Sequence, residues 1–479
     1  MTELADTDLS KADFGDGFTW GVAHASYQVE GAWDQDGKGP SVWDTFTHGK
    51  GRIRGGANGD VACDFYHRYE DDTDLVRELG FDAQRLSISW PRVLPEGTGR
   101  VEQRGLDFYD RVVDACLERG VEPWVTLFHW DLPQALQDRG GWANRSIVGW
   151  FEEYVGVVAD RLGDRVKDWM VFNEPCSFLV VGHLLGVHAP GVRSLRRYLA
   201  GTHHVNLSQA AGARVLRSSV ADANVGTTHI VTPMRSVGDS ERDRRAKASI
   251  DVLANRIFWE ANMGLGYPVD DCPLIAGIER YRKAGDDEDV RVDWDFVGVQ
   301  YYQRQLVKPW PVPKLRGVPW MSRDHRRYEI TAMGWEVQPD GLYESLQRWH
   351  AYDPAQRLIV TENGAAFPDR VVDGRVHDPR RIAFYEAHLA EVRRAMADGV
   401  PVDGYFCWSL MDNFEWAEGY DPRFGLVRAD FDTQQRTRTA ATGSSASSPS
   451  LPEPLRQGGR AAGRVGRGSE RGQPGPRCP

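Results

Sequence analysis

Cysteine is scarce: Cys63, Cys116, Cys176, Cys272, Cys407 and Cys478 are scattered through 479 residues, and no two stand in a C-x-x-C pair. Neither a disulfide framework nor a structural zinc site is indicated, and a reducing, cytoplasmic setting is expected. No apolar run approaches membrane-spanning length, and the polar, acidic Met1–Asp16 stretch lacks the charged-then-apolar pattern of a secretory leader, so no membrane association is expected. Basic residues are in deficit, 58 against 69 acidic, for a net charge of −11, which argues against nucleic acid as a partner. No G-x-G-x-x-G follows an early strand, which removes the main argument for a doubly wound dinucleotide fold. The segment Gly31–Ser41 looks faintly like a phosphate loop, but its spacing is wrong and Gly39 stands where a magnesium-binding hydroxyl belongs. Finally, the chain from Thr437 to Pro479 has no Phe, Tyr, Trp, Ile or Met.

What is present is a regular alternation. Short apolar runs predict strands near Phe18–Ala25, Ala83–Trp90, Pro123–Trp130, Trp169–Asn173, Val225–Thr232, Phe296–Tyr302, Leu358–Glu362 and Gly404–Leu410. Between them lie stretches with helical spacing, among them Asp60–Leu79, Leu106–Glu118, Ile147–Leu162 and Ile382–Ala397, followed by the stop signals Gly80, Gly120, Gly163 and Gly399. Eight strand–helix units in one chain predict an α/β fold, a single-domain (β/α)₈ TIM barrel over residues 1–435. Two long connections, Trp33–Gly59 and Lys308–Tyr328, have the length of site-lining loops. Residues 436–479 hold eight Arg, no Lys and two Glu amid Ala, Gly, Ser and Pro, and are expected to be a disordered tail.

The strand ends are where an apolar pattern gives way to chemistry. The third ends His129-Trp130, the fourth Asn173-Glu174, the sixth Gln300-Tyr301-Tyr302, the seventh Thr361-Glu362, and the eighth carries Trp408, with Glu415-Trp416 just beyond. In a barrel all these ends open on one mouth. A single Glu there is as well explained by capping of the next helix, and a single His by core packing. Two Glu at one mouth, with 17 Trp in the chain to offer flat apolar faces, suit cleavage of a glycosidic bond. That reaction needs one carboxyl to protonate the leaving oxygen and another on the opposite side of the anomeric carbon.

The segments Trp20-Gly-Val-Ala-His-Ala-Ser-Tyr-Gln-Val-Glu-Gly, Arg85-Leu-Ser-Ile-Ser-Trp-Pro-Arg, Phe128-His-Trp-Asp, Phe172-Asn-Glu-Pro, Thr361-Glu-Asn-Gly and Trp408-Ser-Leu-Met-Asp-Asn-Phe-Glu-Trp occur in one order along the chain. In that order they resemble glycoside hydrolase family 1, the β-glucosidase family, from about Phe18 to about Asp432. The resemblance implies a retaining β-glycosidase that needs no metal and no cofactor. Its substrates would be small oligosaccharides or aryl β-glycosides with a terminal glucose, and cellulose-derived sugars are among them. It implies Glu174 as acid/base and Glu362 as nucleophile, with Arg85 and Tyr302 holding the nucleophile and Asn173 on the sugar 2-hydroxyl. Gln28, His129, Trp130, Glu415 and Trp416 match residues that grip the other hydroxyls, Trp408 the stacking floor, Phe424 a neighbour of the C6 end, and Trp335 a platform for the leaving group. A negative Glu415 is expected to repel a 6-phosphate. A transglycosylase would use the same residues, and a non-catalytic sugar-binding homologue would keep the same cavity.

Two features depart from the family pattern. Gln300 stands where Asn is usual. The closing helix, with its Ser-x-x-Trp-Tyr pattern, is replaced after Thr437 by the Arg-rich tail. Loss of that cover is expected to leave apolar area of the eighth strand wet, at roughly 1.5–3 kcal/mol per large side chain.

Overall fold

The computed structural model describes residues 9–311, 314–319, 328–372 and 375–439. Eight parallel strands close into a barrel in sequence order: β1 (Thr19–Ala23), β2 (Ala83–Ser87), β3 (Glu122–Phe128), β4 (Asp168–Asn173), β5 (Asn224–Ile230), β6 (Phe296–Tyr301), β7 (Leu358–Asn363) and β8 (Val402–Trp408). Closure is made at β1, whose Ala23 is in register with Arg85 on one side and Trp408 on the other. All eight predicted strands are found, with ends shifted by at most three residues. They are almost wholly buried, as parallel strands covered on both faces must be.

Among the described residues, seven main crossover helices cover the barrel: α1 (Phe65–Glu78), α2 (Gln103–Glu118), α3 (Ile147–Leu162), α4 (Leu195–Ser219), α5 (Glu241–Asp251, running on through a π turn into Ile257–Asn262), α6 (Asp340–Tyr352) and α7 (Pro379–Ala397). Their buried faces follow the helical period; in α3, Phe151, Val155, Val158 and Leu162 form one stripe. The start of α1 falls five residues after the predicted Asp60, because Asp64 takes a left-handed φ of 53° that a helix cannot contain. Gly80, Gly120 and Gly399 stop their helices with positive φ, whereas Gly163 does not: its φ is −69°. Part of the Lys308–Tyr328 connection is a small sheet rather than a loop, with Gly317–Pro319 antiparallel to Gln305–Pro309; its residues 312–313 and 320–327 lie outside the described residues.

Inside the barrel, Trp124 packs against Phe296 and Phe406 with ring centroids 5.4 and 5.1 Å away, and small residues at Ala23 and Ala83 make room for them. This filled floor lies below the mouth, so the strand ends are held over packed side chains and not over a pore.

The expected tail boundary is corrected at its first residues. Arg436–Arg438 pairs antiparallel with Val427–Ala429, and Thr439 is 4% exposed. The Arg436 guanidinium donates to both carboxylate oxygens of buried Asp72 on α1, each at 3.0 Å, and Arg438 pairs with Glu78. Composition cannot see a partner 364 residues away, which is why these arginines read as tail. The tail expectation for residues 440–479 lies outside the described residues. No α-helix follows β8 among the described residues, yet Val402, Tyr405, Cys407 and Trp408 are each 3% exposed or less. The expected wetting of β8 is therefore not found; Tyr385 of α7 packs against Tyr405 and donates to the Trp408 carbonyl at 3.4 Å.

Removing one partner of a buried ion pair leaves the other charge unpaired. Arg436→Met is expected to lower unfolding free energy by about 3 kcal/mol, measured by urea denaturation. A change within about 0.5 kcal/mol, the range of neutral surface substitutions, would show that the ribbon does not contribute.

Candidate active site

Arg85, midway along β2, is 1% exposed and has its whole donor fork in use. One terminal nitrogen donates to Glu362 Oε1 and, at 3.3 Å, to the Thr361 carbonyl; the other donates to Asn173 Oδ1 at 2.5 Å; Nε donates to Thr126 Oγ1 at 3.2 Å. The second oxygen of Glu362 accepts from the Tyr302 hydroxyl at 2.7 Å. Both lone-pair faces of this carboxylate are thus fixed by residues from different strands. Asn173 Oδ1 also accepts from Gln300 Nε2 at 2.8 Å. Two donors converging on that oxygen fix which way the amide is turned.

Glu174 is 4% exposed and sits just past β4. Burial, then the charge of Glu362, pushes its carboxyl up to about 8, opposed by Ser177 and more weakly by Arg85. Burial raises Glu362 as well, but Arg85, Tyr302 and Gln300 all act to lower it. Glu362 is therefore the member of the pair that ionises first. The asymmetry comes from placement: a cation and a phenol touch one carboxyl, while the other has only a serine.

A cavity of about 280 Å³ opens over these groups. Of the residues singled out in the sequence, His129, Trp130, Asn173, Glu174, Tyr302, Trp335, Glu362, Trp408, Glu415, Trp416 and Phe424 line it. Arg85, Gln28 and Gln300 are buried and are not among its lining residues. Gln28 donates to Asn413 Oδ1 and to the Phe414 carbonyl, both at 3.0 Å, and so anchors the segment that carries Glu415. The Trp408 and Trp416 rings flank His129 at 6.1 and 6.0 Å, and Tyr302, Trp335 and Phe424 form a second aromatic group with centroids 5.4 to 6.3 Å apart.

Four buried polar atoms of this set have no protein partner: Gln28 Oε1, His129 Nδ1, Gln300 Oε1 and Glu415 Oε2. Buried polar groups are nearly always paired, so a cluster of orphans around one cavity points to a hydroxyl-rich ligand. His129 is held neutral, first by burial and then by Arg85 and His24. Glu415 is pushed up to about 8 by burial and by Glu362. The raised pKa favours the protonated form of Glu415, which weakens the expected repulsion of a 6-phosphate. What disfavours phosphate is that, among the described residues, no Lys or Arg lines the cavity.

Trp130, Glu174 and Trp416 all have left-handed backbone, with φ of 82°, 45° and 47°. Such conformations are costly for non-glycine residues and concentrate at functional sites. Sequence reasoning missed Ser177, Val181, His188, Ile230, Met333, Ala417 and Glu418 in the lining. Ser177, three residues after Glu174, offered a local signal; the others offered none. Among the described residues no cluster of His, Cys, Asp or Glu is arranged to hold a metal ion, and no helix is long and apolar enough to cross a membrane.

The family model described as glycosyl hydrolase family 1 matches residues 10–446. β-Glucosidase A of Thermotoga maritima is 45% identical over 426 residues, covering 88% of this chain and 94% of that protein. The bifunctional β-D-glucosidase/β-D-fucosidase of Bifidobacterium breve is 40% identical, covering 89% and 95%. The T. maritima β-glucosidase structure in complex with glucoimidazole superposes with a TM-score of 0.84 at 43% identity, over 90% of this chain and 97% of that one. With the barrel, the strand-end constellation and these matches together, the chain belongs to glycosyl hydrolase family 1.

Proposed function

We propose that this protein is a retaining β-glycosidase of the β-glucosidase type, removing a terminal non-reducing β-linked glucose from short oligosaccharides or aryl glycosides. The observation that carries the assignment of roles is the unequal environment of the two carboxyls. Glu362, gripped by Arg85 and Tyr302, is the one fitted to be an ionised nucleophile. Glu174, without a direct cation and raised to about 8, is the one fitted to hold a proton.

In the first half-reaction Glu174 gives its proton to the glycosidic oxygen while Glu362 attacks the anomeric carbon. Arg85 and Tyr302 keep the attacking carboxylate in line. Asn173, its amide oxygen already taken by Arg85 and Gln300, turns its NH₂ to the 2-hydroxyl, where a hydrogen bond strengthens as positive charge grows at the anomeric carbon. Esterification removes the charge of Glu362, so the carboxyl of Glu174 becomes more acidic and can take a proton from water in the second half-reaction. Trp408 supplies the floor, Gln28, His129 and Glu415 the hydroxyl contacts, and Trp335 the outer platform.

Glucose is supported by the names of the relatives, and the Bifidobacterium relative supports extending the range to β-fucosides. A relative from Thermotoga neapolitana named 1,4-β-D-glucan glucohydrolase, 44% identical, supports cellulose-derived oligosaccharides as natural substrates. The five described cysteines are all unpaired, which supports a cytoplasmic setting. Retention of both carboxyls in one cavity favours catalysis over mere sugar binding, and no feature singles out transfer over hydrolysis.

Release of p-nitrophenol from its β-glucoside tests the assignment. Glu362→Gln is expected to lower kcat by at least ~1,000-fold, as loss of a nucleophile does; a variant retaining a tenth of wild-type activity would remove Glu362 from that role. NMR of the first-formed sugar should show the β anomer, and α would mean inversion. The pH profile has a defined sign. Since Glu174 must be protonated in the free enzyme, kcat/KM should fall as pH rises through about 8. A profile flat to pH 10 would mean that its proton is not required.

A further inference from the structure

Gln300 departs from the Asn usual in the family, is fully buried, and lies outside the cavity lining. Its place in the barrel explains what the longer side chain does. Gln300 is on β6 and Asn173 ends β4, so the strand between them, β5, must be spanned: Ile230 of β5 is in register with Gln300, and Thr228 with Asn173. The Gln300 amide crosses that gap and donates to Asn173 Oδ1 at 2.8 Å. An Asn at 300 would be shorter by one carbon–carbon bond, roughly 1.5 Å, which carries its nitrogen out of hydrogen-bonding range.

We infer that Gln300 is a positioning residue that acts through Asn173: with Arg85, it locks the Asn173 amide so that the NH₂ faces the sugar 2-hydroxyl. This rests on the glycosidase reading above. The two donors are not redundant. Arg85 divides its guanidinium among Glu362, Thr361, Asn173 and Thr126. Gln300 gives its NH₂ to Asn173 and also acts to lower the neighbouring Glu362, while its own Oε1 has no partner. With the Gln300 donor removed, the Asn173 amide has a single anchor and can turn its oxygen toward the 2-hydroxyl. The contact that should strengthen in the transition state is then weakened, while the ground-state complex keeps its other hydroxyl contacts. The effect belongs mainly in kcat and depends on the presence of the 2-hydroxyl.

The test pairs a substitution with a substrate. Gln300→Met keeps the length and bulk and removes the donor. On p-nitrophenyl β-glucoside the variant should lose about 10- to 100-fold in kcat, the scale of a misplacement near 1 Å, with KM changed less than threefold. On the 2-deoxy-β-glucoside, which lacks the hydroxyl that Asn173 would hold, wild type and variant should agree within about twofold. Equal losses on both substrates, or no loss on either, would overturn the inference. If Gln300→Met does not fold, as read by thermal unfolding, Gln300→Asn replaces it. That variant keeps an amide of insufficient reach and should show the same substrate dependence at smaller size; equal loss on both substrates would again overturn the inference. The wild-type arm separates the two readings: a folded wild type inactive on the glucoside would sink the glycosidase reading itself, whereas an active one with substrate-independent losses would sink only the role of Gln300.

Discussion

One buried guanidinium organises the site. Arg85 joins β2 to the ends of β4 and β7 through Asn173 and Glu362, and it does so from a position closed to solvent. A charge in such a place is tolerable only if it is paired and its donors are satisfied, and here every nitrogen has an acceptor. The same set of bonds creates the difference between the two acids. Burial acts on both Glu174 and Glu362, and without a cation beside one of them neither would be the preferred site of ionisation. Among the described residues no Lys or Arg lines the cavity itself. The electrostatics of the site therefore follow from one residue's geometry, and the second set of contacts, to Asn173, ties sugar orientation to the same anchor.

The barrel was legible because its strands are short apolar runs bounded by turn residues, and its helices carry a clean stripe every three to four positions. The strand-end glutamates were legible because polar residues are out of pattern there. Features that depend on distant partners were not. Arg436 read as tail because Asp72 is far away in sequence; β8 was expected to be wet because the outward face of a strand shows nothing of what Tyr385 will cover. Glu415 read as a charge because sequence gives residue type, and only its burial beside Glu362 shows that the protonated form is favoured. The lining residues His188 and Met333 come from loops whose path no periodicity encodes.

Strain and packing divide the molecule into two layers. Below, Trp124, Phe296 and Phe406 interlock in a dry floor. Above, Trp130, Glu174 and Trp416 take backbone conformations that cost free energy. The floor and the hydrogen-bonded strand ends hold those residues in place, so the rings and the acid are presented in fixed orientation before any sugar arrives. Such preorganisation reduces the ordering left for binding to supply.

The closure of the barrel at β1 has a consequence for biogenesis. β1 pairs with β2, about 60 residues on, and with β8, about 385 residues on. During synthesis at ~5–20 residues per second, β1 is available for tens of seconds with one edge unpaired, and its proper neighbour is among the last strands to leave the ribosome. Bare parallel edges recruit other chains. The nascent protein is thus most vulnerable to misassembly over the long interval before residue 408 emerges, and the Arg436–Asp72 clasp forms later still, fastening a segment made after the barrel strands to the first crossover helix.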